Sequence, residues 1–380
     1  MDTLMRKCQG CGAVLQTDDE QAPGFVPEQI LQREHDQGII CKRCYRIRHY
    51  NEILKVTLDE KKFVNILKEI STKPALVLYV IDIFDFEGSW LEQLPQFLNH
   101  HEIYVIVNKI DILPRDVNMD NVEQFVRDEL KERRLAVEKV FLISALKQWE
   151  TDALVDALIH EFRSRDIYVV GSTNVGKSTF INRIVPPLLK ETGMRLFDLP
   201  EITTSMYSGT TVEALKIPLD DRTAVYDTPG IIKEERLTEQ ICPECLQIIT
   251  PRKRINPRVF QLNEQQTLFL GGLVRIDYVE GAKKSFICYV ANDLNVHRTK
   301  LENAQTIFDD HHAEMLSPPC VQCGSKFPLE QVVPLQCTDG QELDIVISGL
   351  GWVAVKGEGS GKIVVHLPKS AQMRVRESLI

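Results

Sequence analysis

Beyond Leu58, two hydrophobic periods alternate along the chain. Short apolar runs predict strands at Ala75 to Asp82, Ile103 to Val107, Val140 to Ile143 and Ile167 to Val170. Between them, apolar positions recurring every three to four residues predict helices near Trp90 to Leu98, Val122 to Arg133, Ala153 to Phe162 and Lys177 to Ile184. Strands that alternate with helices form a mostly parallel sheet, because each crossover needs a helix to bring the chain back. After Gly230 the helical period fades, and strand-like segments follow at Leu268 to Tyr278, Ser285 to Val290, Leu343 to Ile347 and Trp352 to Val355. The first part of the chain shows neither period; it holds cysteine pairs around a polar, proline-containing stretch from Gln21 to Pro27.

This pattern divides the 380 residues into a small module at 1–56, an α/β domain at 57–235 and a strand-rich α+β domain at 236–380. Hydrophobic residues at 43% and charged residues at 26% are ordinary for a globular chain, so cores of normal size are expected. No apolar run approaches the ~18 residues of a membrane helix. The amino terminus lacks a secretory or transit pattern, so the expected compartment is the cytoplasm, without membrane contact and as a monomer. A net charge of −9 argues against indiscriminate polyanion binding and leaves RNA contact to local basic patches.

The chemistry begins at Gly171-Ser-Thr-Asn-Val-Gly-Lys-Ser178, which follows the apolar run Ile167 to Val170 and opens a helical pattern. That context gives the phosphate-loop spacing its meaning. Gly171, Val175, Gly176 and Thr179 belong to a loop whose backbone N–H groups wrap phosphates. Lys177 neutralises their terminal oxygens, and the Ser178 hydroxyl suits Mg²⁺. Downstream, Asp227-Thr-Pro-Gly230 ends another apolar run and supplies an acid for Mg²⁺ and a glycine N–H for a γ-phosphate. Between them Ser208-Gly-Thr-Thr211 ends in a threonine placed to close on the same ion. Asn108-Lys109-Ile-Asp111 follows its own strand, and the Asp111 carboxylate matches the two donors of guanine, which adenine lacks. Ser144-Ala145-Leu146 is in place for a companion loop that meets the guanine oxygen. GTP or GDP with Mg²⁺ is therefore expected, and an ATPase is disfavoured.

Together these stretches resemble the motifs of TRAFAC-class GTPases, in circularly permuted order with base recognition before the phosphate loop. With the cysteine-bearing start, the stretch Val80-Ile-Asp-Ile-Phe-Asp-Phe-Glu-Gly-Ser89 and the strand-rich tail, the chain is similar to the YqeH family of ribosome-assembly GTPases. That resemblance spans essentially the whole chain. It implies a role in maturation of the small ribosomal subunit, with rRNA or ribosomal proteins as partners.

Ras-like enzymes place a water-orienting glutamine after this glycine; here Ile231 and Ile232 follow. The resemblance to GTPases with such a replacement implies slow intrinsic turnover. Asn174 resembles the asparagine of potassium-dependent GTPases, which implies stimulation by K⁺. Lys177, Thr211, Asp227, Gly230 and Asn174 are thus the expected catalytic set.

Cys8, Cys11, Cys41 and Cys44 form two knuckles about thirty residues apart, the spacing of a tetrahedral structural Zn²⁺ site. Cys242, Cys245, Cys320 and Cys323 repeat the pattern over a wider gap, and either a second Zn²⁺ or reduced thiols would account for them. Lys42, Arg43, Tyr45, Arg46, Arg48 and His49 flank the first set, and Arg252, Lys253, Arg254 and Arg258 follow the second pair. They suit contacts with folded RNA. Two accounts remain: a GTP-hydrolysing ribosome-assembly factor, or a zinc-stabilised RNA-binding scaffold that uses GTP as a regulatory ligand with negligible turnover.

Overall fold

The computed structural model describes residues 14–18, 24–31, 39, 41–42, 57–58, 60–161, 164–193, 203–206, 213–324 and 327–380. They fall into two compact units. One comprises residues 1–82, 89–109 and 127–232, the other residues 83–88, 110–126 and 233–380.

The first unit is built on nine strands: β1 (Thr57–Leu58), β2 (Ala75–Asp82), β3 (Glu102–Asn108), β4 (Lys139–Leu142), β5 (Asp166–Val170), β6 (Thr203–Met206), β7 (Glu213–Pro218), β8 (Ala224–Asp227) and β9 (Gly230–Ile231). Seven make one sheet in the order β4-β3-β2-β5-β8-β7-β6. The first five run parallel, and β7 and β6 are added antiparallel. Every residue of β2 is buried, as a central parallel strand covered on both faces requires. One face packs through Leu76, Leu78, Val80, Ile106, Ile167 and Val169 against Leu154, Leu158, Phe180, Ile181, Ile184 and Leu188 of two helices.

The helix that follows β5 spans Lys177–Thr192 and continues through Pro186 and Pro187, past the end expected at Ile184. Val185, Leu188 and Leu189 prolong its buried face, and that burial offsets the hydrogen bonds the prolines cannot make. It ends at Gly193, whose φ of 75° closes the last turn with an N–H to the Lys190 carbonyl. The helix expected at Trp90 to Leu98 is confined to Leu94–Leu98, with a separate turn at Phe86–Ser89.

The second unit holds ten strands: β10 (Arg258–Leu262), β11 (Gln266–Leu270), β12 (Val274–Gly281), β13 (Lys284–Val290), β14 (Val296–Lys300), β15 (Gln331–Cys337), β16 (Leu343–Ile347), β17 (Gly351–Lys356), β18 (Gly361–Leu367) and β19 (Met373–Glu377). They form two antiparallel sheets, β10-β13-β17-β16-β19 and β14-β11-β12-β18-β15. The sheets share a core that includes Leu262, Leu268, Ile276, Phe286, Ile345, Val353, Ile363 and Val365. The expected segment Leu268 to Tyr278 is a hairpin, since Gly271, with φ of 56°, and Gly272 turn the chain between β11 and β12.

Within this unit, Arg236 Nε donates to Asp85 Oδ2 at 2.7 Å with both side chains buried, and Ser348 Oγ donates to Asp85 Oδ1 at 3.1 Å. Arg374 pairs with Glu87 at 3.0 Å, and the Arg376 guanidinium lies over the rings of Phe125 and Trp352. These bonds tie residues 83–88 and 110–126 to the strand-rich body. Among the described residues, no helix is long and apolar enough to cross a membrane.

Candidate nucleotide-binding site and metal centre

In an open parallel sheet, the loops that leave the carboxyl ends of the strands collect at one edge. β2, β3, β4, β5 and β8 are mutually parallel, so Asn108-Lys109, Ser144-Ala145, Gly171 to Ser178 and Asp227 to Gly230 all leave from that edge. Asn108 joins three of them. Its Nδ2 donates to the Val175 carbonyl at 2.9 Å, and its Oδ1 accepts the Ala145 N–H at 3.0 Å. Arg183 Nε donates to the Ala145 carbonyl at 3.2 Å, and Ser144 Oγ accepts the Lys147 N–H at 3.1 Å. The companion loop is therefore held from both sides.

The phosphate loop has little room for side chains. A Cβ at Gly171 would meet the Val80 carbonyl oxygen at 2.6 Å, and one at Gly176 would meet Asn108 Nδ2 at 2.4 Å. Gly176 also takes φ of 94° and caps the helix with no side-chain bond. The helix amino terminus behind it carries the partial positive charge that favours an anion. Lys177 is buried, and its ammonium donates to the Gly171 and Ser172 carbonyls at 2.8 and 2.7 Å. A Cβ at Gly230 would lie 2.7 Å from the Lys177 Nζ and 3.2 Å from the Thr173 N. Gly230 thus lies close against the phosphate loop, where a larger residue would displace the Lys177 ammonium and crowd the Thr173 backbone. Ser172 Oγ is buried with no protein partner among the described residues. This cradle of backbone, ammonium and hydroxyl fits a nucleoside polyphosphate.

Asp227 ends β8, in register with Val169 of β5, and Thr228 Oγ1 donates to the Val169 carbonyl at 2.7 Å. Ile231 is buried, and its carbonyl accepts the Thr173 N–H at 2.8 Å. Its side chain is packed away from solvent. Ser178 and Thr179 open the helix, with Thr179 exposed. Asp111 lies in the 3₁₀ turn Ile110–Ile112 and is buried. Thr211 lies outside the described residues, as do Cys8, Cys11, Cys44 and the basic cluster from Arg43 to His49. Of the first cysteine set only Cys41 is described, and it is buried.

The second cysteine set comes together. Cys242 Sγ is 3.6 Å from Cys320 Sγ and 3.9 Å from Cys323 Sγ. Cys245 Sγ is 3.6 Å from Cys323 Sγ, and Cys320 and Cys323 are 3.5 Å apart. All four sulfurs lie within 4.8 Å of one another. Four thiolates at ~2.3 Å from a Zn²⁺ ion stand about 3.8 Å apart along the edges of their tetrahedron, so these separations fit. They are far longer than the ~2.05 Å of a disulfide. The Cys320 N–H donates to Cys245 Sγ at 3.2 Å, the kind of contact that orients a metal-bound sulfur. Cys288 and Cys337 are buried elsewhere, Cys337 donating to the Gly361 carbonyl at 3.4 Å.

Residues 166–267 match the family described as 50S ribosome-binding GTPase, and residues 283–379 match the family described as YqeH-like, C-terminal. The protein YqeH of Bacillus subtilis is 43% identical over 373 residues, covering 98% of this chain and 99% of that one. The chain belongs to the YqeH family. More distant relatives include a rice protein named putative nitric oxide synthase, 29% identical over 98% of this chain and 77% of its own. Human nitric oxide-associated protein 1 is 24% identical over 98% of this chain and 74% of its own. Among solved structures, YjeQ from Thermotoga maritima covers 42% of this chain and 50% of that chain at 20% identity, with a TM-score of 0.25, too low to carry an argument.

This member of the YqeH family therefore combines a GTPase domain of mostly parallel sheet with a strand-rich carboxy-terminal part and a four-cysteine cluster able to hold a metal. Two contacts had no counterpart in the sequence reading. Nothing there assigned a role to Asp82 or Arg183, yet Lys109 Nζ donates to Asp82 Oδ2 at 2.6 Å and Arg183 braces Ala145. An acid closing an otherwise apolar strand was the available signal for Asp82; a surface-helix arginine offered none.

Proposed function

We propose that this chain is a GTP-hydrolysing factor of ribosome assembly that acts on the small subunit through rRNA or ribosomal proteins. The observation that carries the nucleotide half is Asn108, which joins Val175 of the phosphate loop and Ala145 of the companion loop with one amide. In this reading the N–H groups of Gly171, Asn174, Val175, Gly176 and Thr179 with the Lys177 ammonium hold the phosphates. Asn108, Lys109, Asp111, Ser144 and Ala145 select and seat guanine. Ser178, Thr211 and Asp227 hold Mg²⁺, which spreads the charge of the phosphoryl oxygens when bound. The Gly230 N–H meets the γ-phosphate.

Buried Ile231 can orient no water through its side chain, so intrinsic turnover is slow. Asn174, held at φ of 62°, is the residue we assign to K⁺. Zn²⁺ is held by Cys242, Cys245, Cys320 and Cys323, and a second Zn²⁺ by Cys8, Cys11, Cys41 and Cys44. The domains run 1–56, 57–235 and 236–380, and the compartment is the cytoplasm. Arg252, Lys253 and Arg254 supply RNA contacts on the last domain, whereas Arg258, expected beside them, donates to the Leu294 and Ala291 carbonyls.

Nucleotide competition tests the first half: GTP and GDP displace a labelled guanine nucleotide, and an ATP that does so equally well overturns it. Co-sedimentation with ribosomal particles tests the second half. The matching family's description names the 50S particle, whereas the reading here predicts nucleotide-dependent association with small-subunit precursors. Binding to large-subunit particles alone would reverse that assignment. Faster hydrolysis in KCl than in NaCl, lost in Asn174→Asp, is the outcome expected for K⁺. The burial of Ile231 also favours a second reading, a scaffold with GTP as regulatory ligand; no hydrolysis in KCl with ribosomal particles present would establish it.

A further inference from the structure

The stretch Val80 to Ser89 contains a buried acid that the proposed mechanism does not use. Asp82 is the last residue of β2 and lies in register with Asn108 of β3. It is 3% exposed, a depth at which a carboxylate requires a charged or hydrogen-bonded partner. Its backbone N–H donates to Ser89 Oγ at 3.0 Å, which fixes the point where the chain leaves the strand. Its Oδ2 accepts the Lys109 ammonium at 2.6 Å, and the same ammonium donates to the Asn174 carbonyl at 2.8 Å. Both Lys109 and Asn174 hold positive φ, of 70° and 62°, a backbone state such residues keep only where surrounding contacts impose it. The neighbouring Asn108 bonds Val175 and Ala145. Adjacent side chains of one loop thus bond adjacent carbonyls of another, and one of the two rests on Asp82.

We propose that Asp82 is a positioning residue for guanine-nucleotide binding. Its carboxylate holds the Lys109 ammonium against the Asn174 carbonyl, so that the base-reading loop and the phosphate loop are fixed relative to each other before a nucleotide arrives. The inference rests on the proposed GTP binding. Asp82 touches no nucleotide; it acts through Lys109. A flexible lysine left without the carboxylate would sample many rotamers, and ordering it would then weaken every guanine nucleotide alike.

The test is a double-mutant cycle read by equilibrium binding of GTP and GDP and by steady-state hydrolysis. Asp82→Asn is expected to weaken both nucleotides about 10-fold and to raise KM, with kcat within about two-fold of wild type. Lys109→Gln should weaken binding by at least as much. The double variant should bind no more weakly than Lys109→Gln alone, because the ammonium through which Asp82 acts is then gone. Wild-type affinity in Asp82→Asn, losses that simply add in the double variant, or a fall in kcat at unchanged KM would overturn the proposal. Should Asp82→Asn fail to fold, Lys109→Gln removes the pair from its more exposed side, and wild-type affinity in that variant overturns the proposal by itself. A wild-type chain that binds neither GTP nor GDP defeats the GTP reading; one that binds both, with Asp82→Asn unaffected, defeats only the role of Asp82.

Discussion

In the parallel sheet, the loops after β3, β4, β5 and β8 bring their residues to one edge, each loop following directly on the strand that aims it. In the strand-rich unit, the cysteine cluster joins Cys245 to Cys320 across 75 positions, with the five strands β10 to β14 lying between them. A site of the first kind is assembled by short loops on a rigid edge, so a substitution there removes chemistry while the core survives. A site of the second kind closes a long segment of chain, so losing it removes stability. The two should therefore fail differently.

The largest expected effect is on the nucleotide edge. Lys177→Ala deletes the buried ammonium and should lower hydrolysis by ~10²–10³-fold, with the thermal midpoint of the nucleotide-free protein nearly unchanged. A midpoint that collapses with the activity would break the contrast. In the other unit, Arg236→Met strands the Asp85 carboxylate at a buried position and should cost about 3–5 kcal/mol in denaturant unfolding. A loss below ~1 kcal/mol would mean that Ser348 and water satisfy Asp85 without it.

Chelation or Cys323→Ser should remove one zinc per chain by elemental analysis and cost about 2–4 kcal/mol of stability in the strand-rich unit, a figure borrowed from cross-links that close chains of comparable length. Unchanged metal content would assign the cluster to reduced thiols. A smaller, pH-dependent term comes from Asp277. Burial pushes its carboxyl upward, but bonds from His366, Arg275 and Thr267 outweigh this and hold it below its ordinary value. A carboxyl with a depressed folded pKa stabilises the native state fully above its unfolded value, near 3.9, and that contribution fades as pH falls through the folded value. Acid unfolding followed below about pH 4 should thus be shallower in Asp277→Asn than in wild type, and identical slopes would remove Asp277 from the balance. The smallest effect belongs to Lys362→Met, which breaks an exposed pair with Glu280 and should change stability by less than about 1 kcal/mol.

The placement of the candidate nucleotide loops on one edge was readable because its information is local. Gly171 to Ser178 needs only a preceding strand and a following helix, and Asn108-Lys109 needs only the end of β3. The continuation of the helix through Pro186 and Pro187 was not readable, since its cause is a buried face supplied by Leu154, Leu158 and the sheet. The hairpin at Gly271-Gly272 looked like one segment because both of its strands are apolar. β14, β15 and β19 are edge strands with mixed exposure, so their alternation is weak in the one dimension of the sequence.

The amino-acid sequence by itself determined the strand-loop-helix setting of Gly171 to Ser178, the permuted order of the motifs, the C-x-x-C pairs and the division between alternating and strand-rich parts, because each is read from short stretches of chain. Tertiary structure alone decided that Asp82 meets Lys109, that Asp85 meets Arg236 across 151 positions, and that Cys242 and Cys320 meet at 3.6 Å. Asp82, Asp85 and Arg236 are buried charges that must find a partner when water is removed, and the cysteines are brought together from distant positions, so only the packed fold determines which partner is within reach.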